Sequence, residues 1–351
     1  MDYNKTDVYR LESYNFDLPA GLIAQYPVEP RDSSRLLVLD KRSGKTEDKI
    51  FVDLLAYLNP GDTLVLNDTR VIPARLLAFK DSGARAEILL LKKQGDYWEA
   101  LVKPGRKLRM GSRMKCDLES PVEIEVIEEL NYPGGRLLAF HNCIDEEAFI
   151  NQMGHIPLPP YINRQDQECD RERYQTVYAR ESGSAAAPTA GLHFTQDLLN
   201  AIEEKGVNIA RVLLHVGPGT FRPVKCEDIR LHKMHYEYYR MEEQTAQLLN
   251  QTRQKGRNII AVGTTVVRTL ETIYNDVCGF SAQEGQTGKF IYPGYRFMAI
   301  DALISNFHLP GSSLLMLVAA FAGIDPVMAA YRHAVEARYR FFSYGDAMLI
   351  K

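Results

Sequence analysis

The sequence predicts a layered α/β fold interrupted by a small antiparallel β-barrel, and three observations carry that prediction. From about residue 196 to the C-terminus, short apolar runs alternate with stretches of helical periodicity, the pattern of strands covered by helices. That periodicity vanishes between about residues 71 and 143, where β-type segments follow one another between Gly-rich turns. At 351 residues and 45% hydrophobic content, the chain exceeds one ordinary domain and can fill a sizeable core. The expected division is a discontinuous α/β catalytic domain, residues 1–70 plus 154–351, with a β-barrel domain inserted at 71–153.

In chain order, residues 17–27 read as one short helix between Pro19 and Pro27, followed by a strand at 36–40 and a helix at 51–58. Pro60-Gly61-Asp62 then breaks the chain ahead of a buried strand, 63–66, which ends on Asn67-Asp68-Thr69-Arg70. Polar residues at the end of an apolar strand are placed for ligand contact in α/β folds, or else form an Asx-capped turn. The barrel segments are 86–91, 97–102, 122–127 and 136–140, with a turn at Pro133-Gly134-Gly135. Between them Lys103, Arg106, Lys107, Arg109, Arg113 and Lys115 form a basic run, and Asp117, Glu119, Glu123, Glu125, Glu128 and Glu129 form an acidic one. Such a run is a solvated turn or a nucleic-acid contact. Helices are expected at 146–153, 196–205, 242–254, 265–274, 312–322 and 326–337, and strands at 207–216, 258–262 and 302–305. The closing run from Arg338 to Asp346 mixes arginine with aromatics, which stack on unpaired bases or dock a terminus.

The chemistry concentrates where strands give way to helices. Ser182 to Ala187 carries side chains so small that backbone can lie close against a ligand, or against its own core. Pro188, Thr189 and Gly191 then turn the chain, His193 follows, and Thr195 caps the next helix. The strand after it delivers His215, so His193 and His215 are expected to share one cleft. Gly263-Thr264-Thr265 opens a helix whose free N–H groups suit a carboxylate or phosphate. Arg268 and Glu271 share a face of that helix, as ligand groups or as a surface ion pair. His308 repeats the strand-to-helix placement further on.

Other classes are disfavoured. Neither a Gly-x-Gly-x-x-Gly fingerprint, a Gly-Lys-Ser/Thr loop nor a nucleophile elbow occurs, which argues against dinucleotide, nucleoside-triphosphate and serine-hydrolase sites. His232 and His235 lack a third ligand, so no metal is expected. Five scattered cysteines without a Cys-x-x-Cys pair suit a reducing compartment, and no apolar run is long enough to span a membrane, so a cytoplasmic protein is expected. With a net charge of -3, any nucleic-acid surface must be a local patch.

Six motifs carry a resemblance: Pro30-Arg31-Asp32-Ser33-Ser34-Arg35-Leu36, Leu66-Asn67-Asp68-Thr69-Arg70-Val71-Ile72-Pro73-Ala74-Arg75, Ala187-Pro188-Thr189-Ala190-Gly191-Leu192-His193-Phe194-Thr195, His215-Val216-Gly217-Pro218-Gly219-Thr220-Phe221-Arg222-Pro223-Val224, Met234-His235-Tyr236-Glu237 and Asn306-Phe307-His308-Leu309-Pro310. Together they resemble the S-adenosylmethionine:tRNA ribosyltransferase-isomerase family of queuosine biosynthesis over nearly the whole chain. The departures are some extra residues at the start and Gly288-Lys289 before Phe290. The resemblance implies transfer and isomerisation of the ribosyl part of S-adenosylmethionine onto a 7-aminomethyl-7-deazaguanine in the tRNA wobble position, giving epoxyqueuosine with loss of adenine and methionine. It also implies no metal or redox cofactor, S-adenosylmethionine being consumed, and tRNA as partner; a monomer without a membrane partner is expected. Within these motifs His193 or His215 is expected to move the proton, and Thr264 or Arg268 to hold the methionine carboxylate. Asn67, Asp68, Thr69 and Arg70 would hold the ribose or base, with Thr189, Gly191 and His308 beside them. Arg106, Lys107 and Arg109 would meet tRNA.

Overall fold

The computed structural model describes residues 7–117, 119–217 and 224–351, so the stretch from Pro218 to Pro223 of the fourth motif lies outside the described residues. Nine strands form the main sheet, in the spatial order Gln283–Thr287, Glu237–Met241, Asn208–Leu214, Thr63–Asn67, Ile259–Val262, Ala302–Asn306, Ala347–Ile350, Arg35–Leu39 and Thr46–Ile50. The four from Asn208–Leu214 to Ala302–Asn306 are parallel, and antiparallel strands flank them on both sides.

Central strands of this sheet are apolar at successive positions because both of its faces are covered. Val65, Ile259, Ala261 and Leu303 point to one face, where helices Glu243–Gln254, Thr264–Ile273, Ser313–Ala322 and Ile324–Glu336 pack. Leu64, Leu66, Ile260, Val262 and Ile304 point to the other, under helix Gln196–Glu204 and the 3-10 segments Phe51–Tyr57 and Thr189–His193. The Thr195 hydroxyl accepts the Leu198 N–H at 3.1 Å and starts helix Gln196–Glu204. This three-layer arrangement is the α/β class the sequence predicts.

Chain order makes the strand Thr63–Asn67 special. It pairs with Asn208–Leu214 on one side and Ile259–Val262 on the other, so the chain runs off in opposite directions from it. In open α/β sheets, that divergence leaves a crevice beyond the carboxyl ends of the strands. The ends meeting there are Asn67, Leu214, Val262 and Asn306.

The second sheet holds six antiparallel strands in the order Arg75–Phe79, Arg85–Gln94, Tyr97–Lys103, Gly135–His141, Glu123–Glu129 and Arg113–Met114. Phe79 and Lys115 exchange backbone bonds of 2.8 and 2.9 Å, which closes it into a small barrel. Leu76, Ile88, Ala100, Val126 and Leu138 fill the interior. Helix Glu146–Met153, capped by Asp145, adds Phe149 and Ile150 to that core. Where the chain enters and leaves the barrel, Arg75 and His155 bond each other's backbone at 3.1 and 2.8 Å. Gly154 sits in that junction because a Cβ there would lie 2.0 Å from the Pro73 carbonyl oxygen.

One expectation changes, and one alternative is decided. Residues 17–27 form no helix beyond the 3-10 turn Ala20–Leu22, since Gly21 and the flanking prolines oppose continuation and Leu22 and Ala24 dock individually. The arginine-aromatic tail buries Tyr339, Phe341, Phe342 and Tyr344, then inserts Ala347–Ile350 into the interior of the main sheet. Of its two readings, docking the terminus is the one the structure shows.

Candidate active site

At the end of the strand Asn208–Leu214, His215 lies against Thr69, whose hydroxyl is 2.8 Å from Nδ1. The His215 amide donates to the Tyr238 carbonyl at 3.0 Å, and the Tyr238 ring stacks on the imidazole. On its other side the imidazole meets Gly183, at which a Cβ would fall 2.8 Å from Cε1 and Nε2. Glycine is therefore required there for a second reason beyond its φ of 146°. Thr69, Tyr238 and Gly183 together fix the ring, and none of them hydrogen-bonds Nε2. Burial lowers the His215 pKa, with Glu181 opposing and Arg240 assisting, so the imidazole is held neutral and able to accept a proton.

His215 borders a cleft of about 790 Å³ between the barrel, with Lys92, Trp98 and Tyr132, and the α/β part, with Gly183 of the strand Glu181–Ser184 and His235, Tyr236 and Glu237 at the start of the strand Glu237–Met241. That is the volume of a site for a nucleotide-sized ligand. A smaller pocket of about 70 Å³ opens at the ends of the neighbouring strands, lined by Thr189, Thr264, Asn306 and His308 among others. It can take only an end group. The two hollows share Val216, and the turn after Ala187 and the turn at Gly263 face the same pocket.

The smaller pocket is lined by polar groups together with Phe307, Leu309 and Phe342. Thr264 opens helix Thr264–Ile273 after Gly263 at φ 92°, so the first N–H groups of the helix are presented at the pocket wall. His308 bonds Ser305 through Nε2 at 2.7 Å, and burial pushes its pKa down to about 3. Asn306 donates from Nδ2 to the Phe342 carbonyl and to His193, while its Oδ1 is buried without a partner among the described residues.

Several expected site residues are placed differently. His193 is buried, with Nδ1 2.7 Å from the Ser34 hydroxyl, Nε2 3.1 Å from Asn306 Nδ2, and its ring stacked on Phe51. Because Asn306 donates to Nε2, Nδ1 carries the hydrogen given to Ser34, and neither nitrogen is free to move a proton. Burial, helped by Arg340 and Arg31, pushes the His193 pKa down to about 3. Gly191 faces Tyr178, whose hydroxyl would lie 2.0 Å from a Cβ, and serves packing. Asn67 ties the diverging strands together, donating to the Leu214 carbonyl at 2.9 Å and accepting the Leu214 amide at 3.0 Å. Asp68 borders a separate polar notch with Arg180, Arg211 and Arg240, its carboxyl pKa raised by burial and by Glu181 against the pull of Arg180 and Arg211. Arg70 is exposed on the strand Thr69–Val71.

Arg268 is buried, ion-paired with Glu237, and donates to the Lys289 carbonyl at 3.0 Å and the Thr287 carbonyl at 3.3 Å. Glu271 does not pair with it, accepting instead from the amides of Met298 and Ala299 and from the Tyr295 hydroxyl. Burial by itself would raise the pKa of Glu237, but Arg268, His235 and the Gly217 amide outweigh it and hold the carboxylate at about 2. Glu237 thus stays ionised at the cleft wall, 3.1 Å from His235 Nε2. Composition gave no sign of this pair, and only the Met234-His235-Tyr236-Glu237 motif marked it.

On the barrel, Arg106, Lys107 and Arg109 are exposed, whereas Arg113 and Lys115 pair with Glu123 and Glu125 of the acidic run. Among the described residues, no three His, Cys, Asp or Glu side chains converge as a metal site. Among them, too, no single helix is long and apolar enough to cross a membrane.

Comparison with known proteins adds a family. A family model described as queuosine biosynthesis protein matches residues 11–350. An S-adenosylmethionine:tRNA ribosyltransferase-isomerase of Syntrophomonas wolfei is 64% identical over 351 residues, the full length of both chains. Proteins of the same name from Staphylococcus haemolyticus and Clostridioides difficile are 54% and 52% identical, each over 97% of this chain and over 99% and 100% of their own. A crystal structure of an S-adenosylmethionine tRNA ribosyltransferase from Thermotoga maritima is 41% identical and superposes with a TM-score of 0.56, covering 97% of this chain and 100% of its own.

Proposed function

We propose that this chain, which belongs to the queuosine biosynthesis family of S-adenosylmethionine:tRNA ribosyltransferase-isomerases, transfers the ribosyl part of S-adenosylmethionine to the aminomethyl group of a deazaguanine at the tRNA wobble position. It is a transferase of tRNA modification. The finer reading is that the product is epoxyqueuosine and that adenine and methionine depart.

The sulfonium of the co-substrate acidifies the adjacent ribose C5′ hydrogens, so a neutral imidazole at the site can remove one. His215 has that form, held by Thr69, Gly183 and Tyr238 with no hydrogen bond from any of them to Nε2. The first amides of helix Thr264–Ile273 suit the methionine carboxylate, and the buried Asn306 Oδ1 suits its ammonium group. The wide cleft accepts the tRNA nucleotide between the barrel and the main sheet, with Trp98, Tyr132 and Tyr236 as stacking surfaces. Arg106, Lys107 and Arg109 supply phosphate contacts. The reaction so written uses no metal or redox cofactor, because the sulfonium itself provides the activation.

The single observation that carries this reading is the fixed, neutral His215 in the wall of the larger hollow, next to Val216, which both hollows share. Incubation with S-adenosylmethionine and tRNA bearing the aminomethyl-deazaguanine should yield adenine, methionine and a tRNA heavier by the rearranged ribosyl group. Formation of S-adenosylhomocysteine, or no adenine above background, contradicts it.

A further inference from the structure

We propose that His235, backed by the Glu237 carboxylate, is a second catalytic imidazole of this cleft and donates the proton that lets adenine leave. The inference rests on the ribosyl-transfer reading above and assigns a step that His215 cannot perform while it is accepting the C5′ proton.

The geometry sets a held carboxylate beside an imidazole in the cleft wall. His235 is half-buried in the cleft wall, with Nε2 3.1 Å from Glu237 Oε1. Glu237 cannot turn away, since Arg268 holds its other oxygen and the Gly217 amide donates to Oε1 at 2.9 Å. Arg268 is in turn fixed by the carbonyls of Thr287 and Lys289. A buried charge pair of this kind costs desolvation, and it contributes little to stability beyond what apolar packing would give. Its evident use is to present a fixed negative charge to one imidazole. With the carboxylate 3.1 Å from Nε2, Nδ1 is the ring nitrogen left to donate to a ligand.

The step balances as follows. His215 takes a proton from C5′, the C–H electron pair forms C5′=C4′ as the C4′–O4′ bond breaks, and the freed O4′ pair forms the C1′=O4′ carbonyl. The C1′–N9 bond breaks with its pair going to the purine, and the His235 Nδ1 proton neutralises that purine as adenine. His235 is left neutral beside an unchanged Glu237 carboxylate and takes up a proton again from solvent.

The two histidines then have separable signatures. With wild-type protein, S-adenosylmethionine and precursor tRNA, hydrogen exchange at C5′ and adenine release should both occur. His235→Gln should keep C5′ exchange and tRNA binding while adenine release falls by about 10² to 10⁴-fold. Replacing adenine in the co-substrate by 8-azaadenine, which leaves more readily as an anion, should recover most of that loss. Glu237→Gln should show the same selective defect to a smaller degree. The proposal is overturned if His235→Gln releases adenine at the wild-type rate, if it loses C5′ exchange equally, or if the azaadenine analogue is slowed as much as the natural one. Wild-type protein that releases no adenine at all would instead sink the ribosyl-transfer reading.

Discussion

His193 and His215 are both shielded histidines with lowered pKa values, and the difference between them is what occupies the second nitrogen. In His193 both nitrogens bond the protein, so the ring joins the Ser34 turn to Asn306 and the sheet end. His193→Phe should therefore reduce stability while leaving much of the turnover. It should also change the pH dependence of folding. An unfolded histidine takes up a proton below about 6.5, whereas His193 and His308 stay neutral until about 3, so their contribution is complete above 6.5 and is lost as pH falls towards 3. Glu237 adds the same sign only below 4.5, its unfolded value. Between those limits urea titrations should show stability falling with pH, and His193→Phe should make that fall shallower by about 1.4 kcal/mol per pH unit. An unchanged slope would mean that His193 is protonated in the folded chain. For His215 the sharpest probe is its neighbour: Gly183→Ala puts a Cβ 2.8 Å from the imidazole and should cost about 10²-fold in turnover through misplacement. Unimpaired turnover would show that the ring position is not critical.

Elements with their own hydrophobic period were legible in the sequence, and those defined by partners were not. Helix Glu146–Met153 and strand Tyr97–Lys103 lie where periodicity puts them, because their apolar faces are continuous. Strand Gln283–Thr287 carries Gln-Glu-Gly-Gln-Thr and exists only through its backbone pairing with Glu237–Met241. Strand Glu237–Met241 points Glu237 inward, which a hydrophobic pattern reads as an error until Arg268 arrives from another element. The same blindness hid the His235–Glu237 pair. The chemistry of His215 depends on Thr69 and Gly183, which are distant in sequence, so strand order had to be known first. The barrel junction offers a test at this scale. Gly154→Ala would set a Cβ against the backbone oxygens of Pro73 and Ile150, which cannot yield cheaply, and should lower stability by about 1–3 kcal/mol in thermal melts. A melt unchanged from wild type would mean that the Arg75–His155 pairing is dispensable.

Taken whole, the molecule is a mildly acidic chain, net charge -3, that must attract a polyanion through one surface. The barrel turn with Arg106, Lys107 and Arg109 supplies exposed cations next to the acidic strand, whereas Arg113 and Lys115 are already neutralised by it. Charge reversal at those three should weaken tRNA binding and flatten its salt dependence, by as much as about 0.9 in the log–log slope for each phosphate that is no longer neutralised. Binding that stays the same across a salt series would place tRNA elsewhere. The central proposition is that the sheet ends and the barrel together hold a ribose C5′ against His215. Measuring deuterium uptake from solvent at C5′ of S-adenosylmethionine, for wild-type protein and His215→Asn, tests it most directly. Wild-type protein should exchange and His215→Asn should not, with tRNA affinity and melting temperature preserved in the variant. Equal exchange in both would assign the base to another residue and contradict the account.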